Sequence, residues 1–94
     1  MQHHILVKWK ERPSDAAARC REVEAVFQPC LEIPGVHGVK VVPNVIDRPN
    51  RYDMLIVITM DEAALPVYDG CDAHHRWKDE YGGLIEKKAI FDCD

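Results

Sequence analysis

Two side chains suited to acid–base chemistry, Tyr68 and His74, stand six positions apart on either side of Gly70. An imidazole with an ordinary pKa of about 6.5 exchanges protons near neutrality, and the start of a helix favours the neutral form that a base needs. The Tyr68 hydroxyl could hold a substrate oxygen or stabilise a developing enolate. The pair therefore predicts proton abstraction beside a carbonyl group, with His74 as the base. The alternative is that Tyr68 only packs and keeps its hydroxyl in water.

Another histidine, His3, begins an alternating run on the same face as three apolar side chains. A lone histidine on an apolar face is usually a satisfied core group, so we favour a structural role that orients His74 or a substrate. Its ring could also reach the same cavity as His74. Several large apolar residues either fill the core or line a pocket, and they complete the predicted substrate-binding set: Trp9, Val26, Phe27, Ile56 and Trp77. The three remaining histidines are expected to be solvated: His4, His37 and His75.

No metal or cofactor is expected. Cys71 and His74 have a spacing found in zinc sites, but the second ligand pair of a structural site is missing. His3 and His4 point to opposite faces of a strand and cannot chelate together. The sequence also has no glycine-rich phosphate loop, no Ser-His-Asp order and no dinucleotide fingerprint, and haem has little support.

Charge and the amino-terminal sequence exclude other classes of partner. The net charge of −4 leaves no basic stripe for phosphates, so a nucleic-acid partner is not expected. The opening residues MQHHILVKWK contain no long apolar run, which argues against a signal peptide or a membrane span. The four cysteines form no Cys-x-x-Cys pair, and reduced thiols in the cytoplasm are the natural interpretation.

Hydrophobic periodicity predicts four strands and two helical regions in the order β-α-β-β-α-β. The predicted strands are 3–10, 36–42, 52–60 and 89–91, and the predicted helices are 15–28, 62–68 and 73–85. With 94 residues, the chain is expected to form one domain, residues 1–94. The pattern predicts an α+β, ferredoxin-like fold with a four-stranded antiparallel sheet.

Local signals refine these boundaries. Ser14 is the expected N-cap of the first helix and Asp61 that of the second. Pro66 is expected to shorten or kink its helix. In the second strand, alternation places Val36 on the same face as Val42.

The sheet is predicted to bury both of its faces. Residues 52–60 are apolar on both sides, whereas two helices can cover only one side of a four-stranded sheet. A second copy that stacks its own sheet on the open face would bury it. The sequence therefore predicts a homodimer.

Five motifs, in this order, resemble the stress-responsive A/B barrel (Dabb) family of the dimeric α+β barrel superfamily. They are HHILVKWK at 3–10, Ile-Pro-Gly-Val at 33–36, a strand led by Tyr52, the Tyr68 to His74 segment ending in Asp-Ala-His, and AIFD at 89–92. The resemblance implies that the two sheets of a dimer form a barrel with the helices outside. It also implies a cavity between sheet and helices in each subunit.

The resemblance also bears on function. A cofactor-free polyketide cyclase of this family uses a Tyr and a His that match Tyr68 and His74, and His3 matches a histidine common in the first strand. Two positions depart from the family: Met54 stands where the cyclase has a histidine, and Cys71 begins Cys-Asp-Ala-His where His-Pro-Ala-His is usual. These departures predict a different substrate.

Three functions remain open from the sequence. The first is a cofactor-free enzyme that abstracts a proton from, cyclises or isomerises a carbonyl compound such as a polyketide or aromatic-pathway intermediate. The second is a non-enzymatic dimer, either a stress-associated scaffold or a protein that binds a small hydrophobic ligand. The third, a cofactor-free monooxygenase, rests on analogy of fold alone.

Overall fold

A computed structural model describes all residues from 1 to 94. The strands are β1 (Gln2–Trp9), β2 (Val36–Pro43), β3 (Met54–Met60) and β4 (Ile85–Cys93), and the α-helices are α1 (Ala16–Phe27), α2 (Leu65–Asp69) and α3 (Asp72–Tyr81). Short 3-10 segments follow α1 at Gln28–Glu32, precede α2 at Glu62–Ala64 and follow α3 at Gly82–Leu84. None of the helices has the length and apolar character needed to cross a bilayer.

The four strands form one antiparallel sheet in the order β2-β3-β1-β4. Ile5 in β1 lies opposite Ile56 in β3 and Ile90 in β4. The predicted ferredoxin-like α+β fold is therefore confirmed.

The alternation of β1 and β3 places one face of the sheet under the helices. The buried side chains of these strands are His3, Ile5, Val7, Trp9, Met54, Ile56, Ile58 and Met60. The intervening residues are only partly covered, because no element of the chain packs on that side. We call this second surface the open face; across β1, β3 and β4 its large apolar members are Leu6, Leu55, Val57 and Phe91.

Helix α1 begins one residue later than the N-cap prediction implied. Asp15, and not Ser14, occupies the cap, and its Oδ1 accepts a hydrogen bond of 2.9 Å from the Ala18 amide. At the start of the next helical region, Asp61 makes no side-chain cap. Its carboxylate is instead 3.0 Å from Nε2 of His37. The carboxylate that was expected to cap the helix therefore interacts with the His37 side chain.

A bulge corrects the predicted face of Val36. The register of β2 against β3 shifts between Val36 and Gly38, and the extra residue turns Val36 into the core. The turn before it contains Gly35 with φ of 91°, a backbone angle that side chains with a Cβ rarely adopt.

The helical region around Pro66 is divided, as the sequence predicted. Pro66 lies in the first turn of α2, where its missing N–H is not needed by the helix. The following helix was predicted to reach residue 85, but α3 ends at Tyr81 and a 3-10 turn at Gly82–Leu84 leads into β4.

Strand β4 is much longer than the predicted 89–91. It spans Ile85–Cys93 and pairs with β1 along its length, with one irregularity between Lys8 and Trp9. As an edge strand it carries exposed charges, which are frequent at sheet edges and hide the apolar alternation.

Candidate functional site

A cleft opens between the helix-covered face of β1 and β4 and the helices α2 and α3. Its volume is about 300 Å³. The lining residues come from all four elements: His3, Ile5, Leu65, Asp69, His74, Trp77, Lys78, Lys88, Ile90 and Asp92. The cleft thus joins two imidazoles, two lysines and two carboxylates to an apolar wall.

His74 is held by the turn that precedes its own helix. Its Nδ1 lies 3.0 Å from the carbonyl oxygen of Asp69. A carbonyl oxygen only accepts hydrogen bonds, so Nδ1 carries the proton and the neutral ring keeps its lone pair on Nε2. His74 therefore has the tautomer that a base acting through Nε2 requires.

The surroundings of His74 also favour the neutral ring. Burial lowers its pKa below the ordinary value, and the positive charges of Lys78 and Lys88 act in the same direction. The hydrogen bond to the Asp69 carbonyl and the Asp69 carboxylate oppose this change. Burial is the largest effect, so His74 is neutral at neutral pH.

Tyr68 is completely buried beside the two imidazoles. Its ring centroid lies 5.1 Å from that of His74 and 5.3 Å from that of His3. Its hydroxyl is the one buried side-chain polar atom with no hydrogen-bond partner. Burial raises the pKa of the phenol far above its ordinary value, followed in size by the effects of Cys30 and Cys71. Tyr68 is thus a neutral hydrogen-bond donor with no acceptor among the atoms of the protein.

His3 is fixed by the pairing of β1 with β4. Its Nδ1 lies 2.5 Å from Oδ1 of Asp92, the residue directly opposite it in the register. Because a carboxylate oxygen accepts, Nδ1 of His3 donates, and Nε2 is again the nitrogen without a partner. His3 and His74 therefore have the same free nitrogen, and both rings contact Tyr68.

The predicted site residues divide into three groups. His3, His74 and Trp77 line the cleft, and Tyr68 contacts both imidazoles without lining it. Four others are buried in the core and do not line the cleft: Trp9, Val26, Phe27 and Ile56. Their involvement in substrate binding stays a prediction.

Sequence reasoning did not select the polar residues that complete the cleft. Asp92 belongs to the closing AIFD motif, but its role depends on the β1–β4 register that brings it to His3. Lys78 lies one turn after His74 on α3, and Lys88 lies on β4. The four-residue spacing of His74 and Lys78 could have indicated that they share a helix face. Nothing in the sequence placed Lys88 beside them.

The titratable side chains do not assemble into a metal site. No group of three or more His, Cys, Asp or Glu residues has the geometry to hold a metal ion.

Comparisons with known proteins rest on structure. No family model matches the sequence, and no curated protein matches it. Many solved structures match, among them a dimeric ferredoxin-like protein of unknown function from Jannaschia sp. CCS1. That protein is 21% identical with a TM-score of 0.76, and the match covers 99% of this chain and 96% of the other.

Two further structures are informative. A Dabb family protein with a ferredoxin-like fold from Mesorhizobium loti is 16% identical with a TM-score of 0.70, over 99% of this chain and 93% of the other. A hydroxynitrile lyase from Passiflora edulis is 14% identical with a TM-score of 0.70, over 96% of this chain and 87% of the other. The resemblance to the Dabb family that the sequence motifs indicated is thereby confirmed at the level of the fold. The chain has the ferredoxin-like fold shared by these proteins.

Proposed function

We propose that this chain is a cofactor-free enzyme of the Dabb type that removes a proton from carbon next to a carbonyl group. The observation that carries the proposal is the partnerless, buried hydroxyl of Tyr68 between His3 and His74. Leaving a buried donor without an acceptor costs about 1–3 kcal/mol. A substrate oxygen that accepts from this hydroxyl would remove that cost, and because Tyr68 is buried and does not line the cleft, its ring must shift towards the cleft to make this bond.

In the proposed reaction His74 is the base. Its Nε2 takes the proton from the carbon, and the electrons of the broken C–H bond form the carbon–carbon double bond of an enolate. The negative charge develops on the former carbonyl oxygen, where the Tyr68 hydroxyl donates a hydrogen bond. Return of the proton at another carbon gives isomerisation, and attack of the enolate on a second carbonyl gives cyclisation.

The cleft also suggests what the substrate carries besides its carbonyl. Lys78 and Lys88 both line it together with the carboxylates of Asp69 and Asp92, of which Asp92 is engaged by His3. A substrate carboxylate would be attracted by the two lysines. We propose a β-keto acid or a related polyketide or aromatic-pathway intermediate as the substrate class, with the apolar part against Ile90 and Trp77.

We further propose that the enzyme is a homodimer that packs two open faces together. The exposed Phe91, together with Leu6 and Leu55 on the same face of the sheet, forms an apolar surface that no element of the chain covers. Three structures with the same fold are described as dimeric. Two such sheets stacked about 10 Å apart would form the barrel of the dimeric α+β proteins.

The second candidate is a non-enzymatic dimer, a stress-associated scaffold or a carrier of a small hydrophobic ligand. Complete burial of Tyr68 favours it, because a ligand in the cleft would meet the imidazoles before the phenol. For either function we propose a cytoplasmic location, where the neighbouring thiols of Cys30 and Cys71 would be kept reduced.

Deuterium exchange distinguishes the two functions. The protein is incubated in D₂O with a set of β-keto acids and their decarboxylated ketones, and loss of the α-proton signal is followed by NMR. We expect the wild type to accelerate exchange for at least one compound and His74→Gln to lose at least about 100-fold of that rate. His75→Gln, which changes the exposed neighbour on the same helix, should keep the rate.

Equal exchange rates in the wild type and His74→Gln would contradict His74 as the base. Absence of exchange together with saturable binding of a compound, measured by calorimetry, would replace the enzyme with the ligand-binding protein.

A further inference from the structure

Two cysteines lie side by side where the chain turns towards the candidate site. Cys30, in the 3-10 segment after α1, and Cys71, the N-cap residue of α3, are 41 positions apart in the chain. Their sulfur atoms are nevertheless 3.9 Å apart. A disulfide requires a sulfur–sulfur bond of about 2.0 Å, so the two sulfur atoms must approach each other by about 2 Å to form one.

The pair can be reached from solvent. A small pocket of about 200 Å³ is lined by Cys30 and Cys71 together with Pro29, Ile33, Asp72 and Ala73. Cys30 is buried, whereas Cys71 is partly exposed. Cys71 is therefore the thiol that a small reagent meets first.

We propose that Cys30 and Cys71 form a redox-modification site that closes to an intramolecular disulfide by exchange with a small-molecule disulfide of the glutathione type. The Cys71 sulfur, as thiolate, attacks one sulfur of the reagent, and one glutathione thiolate leaves. The Cys30 sulfur then attacks the Cys71 sulfur of the mixed disulfide, and the second glutathione thiolate leaves. The two thiol protons go to the two released thiolates, so two cysteines are oxidised and one small disulfide is reduced to two thiols.

The environments of the two sulfurs assign this order. Burial is the largest cause that raises the pKa of Cys30, to about 12, and the neighbouring Cys71 adds to it. A thiol with such a pKa is a poor first nucleophile. Once Cys71 is linked to glutathione, however, Cys30 is held beside the sulfur it must attack, and proximity replaces intrinsic reactivity.

The disulfide would act on the turn that positions His74. The amide of Cys71 donates to the carbonyl of Tyr68 at 3.1 Å, and Nδ1 of His74 donates to the carbonyl of Asp69 in the same turn. Movement of the Cys71 sulfur towards Cys30 would shift the turn that connects Tyr68 to His74. The formation of the bond does not depend on the proposed reaction, since it follows from the two thiols alone.

Mass spectrometry of the folded protein after treatment with oxidised glutathione tests the site. We expect the intact mass to fall by two hydrogen atoms, and peptide mapping without reductant to join the segments that contain Cys30 and Cys71. Cys71→Ser should give no internal disulfide, and Cys30→Ser should stop at one glutathione adduct on Cys71. The matched control Cys93→Ser should close the bond as the wild type does.

Three results would overturn the inference: four free thiols after treatment, a stable adduct on Cys71 in the wild type, or an internal disulfide that survives Cys71→Ser. Peptide mapping of the wild type needs no variant and therefore does not depend on whether the variants fold. A second readout is the His74 ring signal in NMR, which should shift on oxidation and return with dithiothreitol. An unmoved His74 signal in protein that carries the bond would overturn the coupling to the turn.

Discussion

At the scale of single residues, the candidate site consists of a buried phenol between two imidazoles that are oriented in the same way. Each imidazole donates Nδ1–H to an oxygen, a backbone carbonyl for His74 and the Asp92 carboxylate for His3. Each therefore has Nε2 available. Tyr68 has a proton to donate and no acceptor in the unliganded chain. We propose that the three groups together bind an oxygen and move a proton.

The unpartnered hydroxyl leads to a prediction in which stability and activity change in opposite directions. Tyr68→Phe removes a buried donor that lacks an acceptor, and we expect the free energy of unfolding to rise by about 1 kcal/mol. The α-proton exchange rate should fall, because the enolate loses its hydrogen bond. Urea denaturation and the exchange assay measure the two effects. Tyr52→Phe, on a partly exposed ring, is the control and should change neither; a destabilised Tyr68→Phe would show that the hydroxyl has a partner.

The lowered pKa of His74 predicts how the reaction depends on pH. The base must be neutral, so the rate should stay level on the acid side of neutrality and fall only below the ordinary histidine pKa of about 6.5. The unfolded chain binds the His74 proton more strongly than the folded chain, so His74 also makes folding less favourable as the pH falls below that value and has no effect well above it. A pH–rate profile of the exchange reaction checks the predicted dependence of the rate. An inflection above the ordinary value would contradict the account.

At the scale of elements, the pairing of β1 with β4 positions one half of the site and α3 positions the other. Asp92→Asn keeps the shape of the side chain but removes the charge that holds the imidazole of His3. We expect a loss of about tenfold in rate, or about 1.4 kcal/mol, with little change in thermal stability. Asp94→Asn, on the exposed last residue, should have no effect on the rate. Equal rates for the two variants would show that Asp92 and the orientation of His3 have no effect on the reaction.

The sequence predicts an element correctly where the period of its apolar residues matches the side of the element that is buried. The alternation of His3, Ile5, Val7 and Trp9 predicted β1 and its buried face correctly. It did not predict the full extent of β4, because an edge strand is exposed and its charges interrupt the apolar pattern.

The site was predictable only in part, for a related reason. Residue type and spacing selected Tyr68 and His74, but the partners of both histidines are set by register and by a turn. Asp92 meets His3 across a strand pair that joins the two ends of the chain. Periodicity also cannot tell a residue that lines a cleft from one that fills the core, as Phe27 and Trp77 show, because both are buried.

At the scale of the whole molecule, the two faces of the sheet differ in what they carry. One face carries the core and the cleft, and the open face carries an apolar surface suited to a second copy. Phe91 is 63% exposed and lies opposite His4 on that surface.

The dimer can be tested by placing a charge on the open face. Phe91→Asp would bury an unpaired carboxylate between the two sheets, and we expect the dimer to weaken by at least about 100-fold, or about 2.7 kcal/mol. Val67→Asp, on a similarly exposed apolar residue of α2, is the matched control. Light scattering coupled to size exclusion measures both. A wild type that is monomeric at high concentration, or a dimer unaffected by Phe91→Asp, would contradict the proposed interface.

The most direct test of the site as a whole is NMR of the five histidine rings while a β-keto acid that the protein binds is added. We expect the signals of His74 and His3 to move together and saturate, because both imidazoles line one cleft and both contact the buried Tyr68. The signal of His37, which lies beside Asp61 and does not line the cleft, should not move. A ligand that saturates the protein and leaves His74 and His3 unshifted would contradict the central claim that these residues form one binding site.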